Sequence, residues 1–256
     1  MQDKVALVTG AASGIGAAVA RALAERGARV AAVDRDAEGV METVTKLQAD
    51  GLHAAGCPAD VTDPAAVEEA VDQVEQHVGP VDYLVNAAGV LRLGPAHRLS
   101  DADWNDTLAV NATGVFLMSR AVVSRMVARS SGALVTVVSN AAGTARTDMA
   151  AYSASKAAAM MYTKCLGLEV AQYGIRCNLV APGSTDTPML RSMWQDDSGP
   201  RGTIEGRSDA YRVGIPLQKL ARTSDIADAV AFLLSEQASH ITMQHLTVDG
   251  GATLGV

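Results

Sequence analysis

The sequence predicts a doubly wound α/β fold: a parallel sheet with helices packed on both faces. Three observations carry this reading. Short apolar runs of strand length alternate with segments of helical spacing from one end of the 256-residue chain to the other. Such continuous runs are what strands buried on both faces require. The first run leads directly into a glycine group, TGAASGIG at 9–16, that opens a helix, and the second ends in a carboxylate, Asp34.

The elements follow in order. Lys4 to Thr9 (KVALVT) is a buried strand ended by Gly10, and 14–27 (GIGAAVARALAERG) has helical spacing closed by Gly27. A strand at 29–34 (RVAAVD), a helix at 37–50, a strand around 52–57, a helix at 63–78 and a strand at 81–86 (VDYLVN) repeat the pattern. After a polar segment, Asp101 to about Arg129 can carry one long helix, and 133–139 (ALVTVVS) reads as the next strand. An Ala- and Met-rich helix at 151–172, a strand at 175–181 (IRCNLVA), a helix near 224–236 and a short strand near 244–248 complete the series. Six or seven strands joined by helices make a doubly wound sheet. The irregular stretch Ser184–Pro216, with Met189, Leu190, Met193 and Trp194 as apolar anchors, stands after a strand end, where substrate lids occur.

Composition narrows the classes. Apolar residues at 48% and charged residues at 19% suffice for one large core, and no linker divides the chain, so 1–256 reads as one domain. The net charge of -7 argues against a nucleic-acid or anionic-membrane partner. Apolar segments break after 5 to 12 residues, short of a bilayer span. The opening MQDKVALVTG passes straight into a strand without a signal-peptide pattern, so a cytoplasmic location is expected. Cys57, Cys165 and Cys177 have no CxxC spacing, and His53, His77, His97, His240 and His245 are dispersed, so neither a disulfide framework nor a metal site is expected.

The turn from strand to helix, with Gly10, Ser13, Gly14, Ile15 and Gly16, suits a phosphate-bearing ligand, because a helix N-terminus presents free N–H groups. Its spacing is GxxxGxG rather than GxGxxG, and by itself it is also compatible with an ordinary structural turn. Asp34 at the end of the second strand shifts the balance: a carboxylate there accepts from both ribose hydroxyls and repels a 2'-phosphate, favouring NAD. Arg35 and Arg29 keep NADP open. Asp60 and Val61 are candidates for the adenine, and Asn86, Ala87 and Gly89 leave room beside the cofactor. Asn111, in a helix and near a glycine, is unfavourable by propensity and is a candidate for interrupting helical pairing.

Ser139, Tyr152 and Lys156 form the sharpest feature. Tyr152 and Lys156 share one helical face at i,i+4, beyond a strand-end serine. An ammonium beside a phenol favours the phenolate and should lower its pKa. Such a phenolate accepts a proton from an alcohol, Ser139 steadies the same oxygen, and Lys156 grips ribose hydroxyls.

TGAASGIG (9–16), NAAG (86–89), Asn111, Ser139, YSASK (152–156) and PGSTDT (182–187) together make the chain resemble the short-chain dehydrogenase/reductase family over essentially its whole length. The resemblance implies a single-domain Rossmann-type fold and an Asn111–Ser139–Tyr152–Lys156 catalytic tetrad. It also implies that Pro182, Gly183, Thr185 and Thr187 border the nicotinamide, and that the chain forms a homotetramer through two long helices and the C-terminal strand. NAAGVLRLG (86–94), APGSTDTPM (181–189), VGIPLQKLAR (213–222) and ASHITMQHLTVDGGATLG (238–255) are similar to members that oxidise a carboxylated cyclohexadiene diol in siderophore synthesis, while Leu190 to Arg212 is less so. A substrate with an amine at C2, a broad ketone or acyl-thioester reductase, and a noncatalytic dinucleotide-binding regulator remain as alternatives. A ring carboxylate calls for a fixed cation, for which Arg92 and Arg146 are the candidates, with Met189 against the ring.

Overall fold

The computed structural model describes residues 1–194 and 196–255. Seven strands form one parallel sheet in the order β3-β2-β1-β4-β5-β6-β7. They are β1 (Val5–Thr9), β2 (Arg29–Val33), β3 (Ala54–Gly56), β4 (Val81–Asn86), β5 (Gly132–Val137), β6 (Ile175–Pro182) and β7 (His245–Val248). The helices joining them are α1 (Gly14–Glu25), α2 (Ala37–Ala49), α3 (Pro64–His77), α4 (Asp101–Leu108), α5 (Gly114–Arg129), α6 (Ala150–Val170), α7 (Pro188–Arg191), α8 (Gly199–Glu205) and α9 (Thr223–Leu234).

Alternation along each strand builds two cores. Ala6 and Val8 of β1 point to the side where α1, α2 and α9 pack, with Leu23, Leu47 and Leu234 fully buried. Val5 and Leu7 point to the opposite side, against α3 and α5, with Met118 and Met126. A period of two sends successive side chains to opposite faces, and both faces are covered, hence the continuous apolar runs. β3 is shorter than the 52–57 expected, three residues at the sheet edge with partly exposed alanines.

The run Asp101–Arg129 is continuous but not uniformly α-helical: Ala109–Thr113 forms a π-turn between α4 and α5. It is long and apolar enough in composition to cross a bilayer, which corrects the expectation that every apolar segment is too short. Most of it is buried inside the protein, and α5 packs on β4 and α3, which accounts for its apolarity.

The chain winds outward from β1 to β3 and then returns to place β4 on the other side of β1. This reversal opens a crevice beyond the carboxyl ends of β1 and β4. Thr9 fixes its floor: its hydroxyl accepts the N–H groups of Ala87 at 3.1 Å and Ala88 at 3.2 Å.

Candidate active site

At the crevice, Gly10 has φ +71°, and a Cβ on it would stand 2.7 Å from the Ala87 carbonyl oxygen. No other residue allows β1 to turn this close to β4. A side chain on Gly16 would collide with the Gly10 carbonyl, so the glycine also lets α1 begin directly under the turn. Ser13 precedes α1 without capping it through its side chain. The first-turn N–H groups therefore face a cleft lined by Gly10, Ser13, Gly14, Ile15, Gly16, Asp34, Asp60, Val61, Ala87 and Gly89. This uncapped helix end and the absence of Cβ atoms beneath it fit a pyrophosphate.

Asp34 stands at the far end of that cleft. Its Oδ2 accepts from Ala12 N at 3.3 Å and its Oδ1 from Asp36 N at 3.1 Å, which orients the carboxylate without a cationic partner among the described residues. Asp60 accepts both the backbone N–H and the hydroxyl of Thr62 at 2.8 Å, and the backbone bond, more than any other contact, holds its pKa below the usual carboxylate value. Asn86 is placed differently from the sequence expectation. Its side chain turns into the core and donates to Ser119 Oγ at 2.9 Å, tying β4 to α5 and leaving the cleft to Ala87, Ala88 and Gly89.

A second cleft continues from the first past Ile15, Ala87, Gly89, Thr187 and Met189, with a volume of about 1100 Å³ including its open mouth. Ser139, Tyr152 and Lys156 converge in it, brought together by the end of β5 and the first turns of α6. The Lys156 ammonium donates to the Val137 carbonyl at 3.0 Å and lies 5.8 Å from the Tyr152 ring centroid. Ser139 Oγ accepts from Ala141 N at 3.1 Å and lies near enough to Tyr152 to favour its phenolate.

Burial reverses one electrostatic expectation. Tyr152 has its pKa raised rather than lowered, because desolvation of the phenolate outweighs the opposing Ser139 hydrogen bond. Desolvation likewise pulls Lys156 down to about 8. Each charged form needs a partner within the cleft.

Asn111 sits in the π-turn and is fully buried. Its Oδ1 accepts Val90 N at 2.8 Å, and its Nδ2 donates to Val90 O at 2.9 Å and Ser155 Oγ at 3.0 Å. Ser155 in turn donates to the Tyr152 carbonyl at 2.7 Å, so the chain of contacts links the loop after β4 to the helix bearing the tyrosine and lysine. Extra backbone in a π-turn is a common way to aim such a side chain.

Pro182, Gly183, Thr185 and Thr187 border the second cleft, as do Met189 and Arg146. Arg92 does not. Its guanidinium pairs with Asp106 at 2.7 Å and reaches Asp103 at 3.8 Å, both on α4, which satisfies its charge outside the cleft. Arg212 takes a place on the wall that sequence reasoning left empty. Its one signal was a cation inside the irregular segment, next to VGIPLQKLAR and therefore just outside that stretch.

Residues 4–198 match the family described as short chain dehydrogenase. This chain belongs to the short-chain dehydrogenase family. It is 57% identical over 256 residues to 2,3-dihydro-2,3-dihydroxybenzoate dehydrogenase of Bacillus subtilis (strain 168), covering 100% of this chain and 98% of the relative. It is also 44% identical over 255 residues to D-threitol dehydrogenase of Mycolicibacterium smegmatis, covering 99% and 94%. Among solved structures, an actinorhodin polyketide ketoreductase variant with NADPH superimposes with a TM-score of 0.91 at 36% identity, covering 98% of this chain and 99% of that one. Membership makes the protein an oxidoreductase that binds a nicotinamide dinucleotide, and the crevice at the β1–β4 reversal has the form such a short-chain dehydrogenase needs.

Proposed function

We propose that this dehydrogenase oxidises 2,3-dihydro-2,3-dihydroxybenzoate to 2,3-dihydroxybenzoate, with NAD as the preferred cofactor. One observation carries the reading: Ser139, Tyr152 and Lys156 share a cleft with the cation Arg146, in a chain that matches such an enzyme from end to end. A neutral polyol would leave that cation without a counterpart, so the carboxylated diol is favoured over a threitol-like substrate.

Bound NAD supplies the hydride acceptor. Tyr152 takes the C3 hydroxyl proton as the carbinol hydrogen leaves, and Ser139 holds the same oxygen by a hydrogen bond. A charged Lys156, whose ammonium lies 5.8 Å from the Tyr152 ring centroid, would favour the phenolate against the burial that raises the tyrosine pKa. The ketone formed then enolises, losing its C2 proton while the C3 oxygen takes up a proton, to give the catechol, and aromatisation drives the sequence in the oxidative direction. Asn111 holds the loop and α6 at fixed spacing. The same cleft would hold the dinucleotide: Asp34 would accept from the ribose hydroxyls, the α1 N-terminus would meet the pyrophosphate, and Asp60 with Val61 would border the adenine. Met189, Leu190, Met193 and Thr203 of the 184–216 stretch line the cleft, where the stretch would act as a lid over the ring in a single 1–256 domain.

The test is side-by-side turnover of the dihydro-diol, its 2-amino counterpart and D-threitol, with NADH absorbance as the readout and the product identified by mass spectrometry. The diol should have the highest kcat/KM and yield the catechol acid. Tyr152→Phe should lose at least ~100-fold in turnover while still binding NADH. A higher kcat/KM for the amino compound or the polyol overturns the assignment.

A further inference from the structure

Arg146 and Arg212 reach the cleft from different loops, one before α6 and one after α8, and the Arg146 charge is close enough to act on Arg212. Neither forms an ion pair among the described residues, whereas Arg92, Arg125, Arg129, Arg191 and Arg207 all do. Among the described residues, the buried Arg212 Nε has no hydrogen-bond partner, and the guanidinium's one contact within hydrogen-bonding range is Nη2 to the Met149 sulfur at 3.4 Å. A half-buried guanidinium resting on a thioether near a like charge is incompletely satisfied until an anion joins it.

The backbone holds Arg212 in place. Its N–H and C=O exchange hydrogen bonds with Arg207 at 2.9 Å in both directions, closing a tight loop over Ser208–Tyr211. Beyond it, Ile215 N donates to Ile204 O at 2.8 Å, fastening the strand of lid that carries Arg212 to the end of α8. The cation is thus presented by a pinned loop rather than a free surface arm.

We propose that Arg212 and Arg146 together form the carboxylate-binding end of the cleft, with Arg212 the residue that sets the preference for ring acids over neutral ring alcohols. The assignment deepens the function proposed above and rests on it. Two planar forks approaching from different loops satisfy both oxygens of one carboxylate and fix the orientation of the ring that bears it. Burial and the Arg146 and Arg207 charges lower the Arg212 pKa, opposed by Asp148, as expected for a cationic cluster short of an anion. The aromatic product keeps the same carboxylate, so the two arginines also bind product.

The experiment separates the two readings by using non-reacting probes. Calorimetry with salicylate and with salicylamide measures acid-over-amide preference in the NADH-bound protein, without any turnover. The parent should favour the acid. Arg212→Met and Arg146→Met should each lower salicylate affinity at least ~10-fold and change salicylamide by less than ~2-fold. Arg212→Lys, which keeps the charge and loses the fork, should fall between, and Arg92→Met should match the parent. NADH affinity equal to that of the parent certifies folding. An unchanged acid preference in Arg212→Met, or in Arg212→Lys should the methionine variant not fold, overturns the proposal. A parent that binds salicylate through Arg212 and yet fails to oxidise the dihydro-diol leaves the acid clamp standing and removes the substrate assignment alone.

Discussion

Asn111 grips both backbone groups of Val90, accepting its N–H at 2.8 Å and donating to its carbonyl at 2.9 Å. An amide is the only side chain of this size that can do both. Asn111→Leu should therefore cost about 2 kcal/mol or more in stability, since it strands polar groups in a buried setting. Asn111→Asp, which sets a carboxylate against the Val90 carbonyl in a fully buried site, should cost at least as much. Urea unfolding read beside steady-state turnover checks the pair, and a leucine variant as stable as the parent would show that Val90 finds other partners.

Asp34 carries the cofactor prediction. With no cation among the described residues paired to it, its carboxylate should favour NAD over NADP by at least ~10-fold in kcat/KM, about 1.4 kcal/mol. Asp34→Asn should narrow the ratio by removing repulsion while leaving a ribose acceptor. Equal efficiencies of the parent with both cofactors would refute the assignment.

Lys156 should make stability rise with pH in an unusual window. Its folded pKa of about 8 lies below the ordinary 10.5, so between those values the unfolded chain binds more protons than the folded one. The stabilisation is complete above 10.5 and is lost as pH falls to about 8. Tyr152, with a raised pKa, acts in the opposite sense only above its own ordinary value of 10. Between pH ~8 and ~9.5 the parent should gain about 2 kcal/mol relative to Lys156→Met in urea denaturation. A constant difference between the two proteins across that range would mean that the folded lysine keeps an ordinary pKa.

Assembly should follow the exposed apolar surface. Leu168 is 69% exposed and Met161 55% on α6, partly exposed Phe116 of α5 meets Tyr162 of α6 edge-on, and β7 ends the sheet with Leu246 partly exposed. Light scattering should report a tetramer. Leu168→Glu should dissociate it to a smaller species with unchanged circular dichroism. A parent protein that runs as a monomer at assay concentration would refute the helix-paired tetramer.

Legibility in the sequence tracked distance along the chain. The strand at 81–86 has the bounds expected, and the i,i+4 placement of Tyr152 and Lys156 on one helix follows from the 3.6-residue turn. Asn111 was marked by its poor fit to a helix, and the helix does change its pitch there. Asn86 was not legible in the same way: nothing near it in sequence shows that Ser119 waits on α5 to take its amide.

By itself, the sequence determined the alternation of strands and helices, the glycine turn under α1, the carboxylate closing β2 and the family to which the chain belongs, because each is written in residues a turn or two apart. Tertiary structure decided what the arginines and buried ionisable groups do. Arg92 is taken by Asp103 and Asp106, while Arg212, more than fifty residues from Tyr152, is brought to its cleft by a loop closed on Arg207. Burial, not the i,i+4 spacing, sets the direction of the Tyr152 and Lys156 pKa values. The reason is physical: periodicity is a local property of the backbone, whereas desolvation and the pairing of a long cationic side chain depend on which distant segments fold over it.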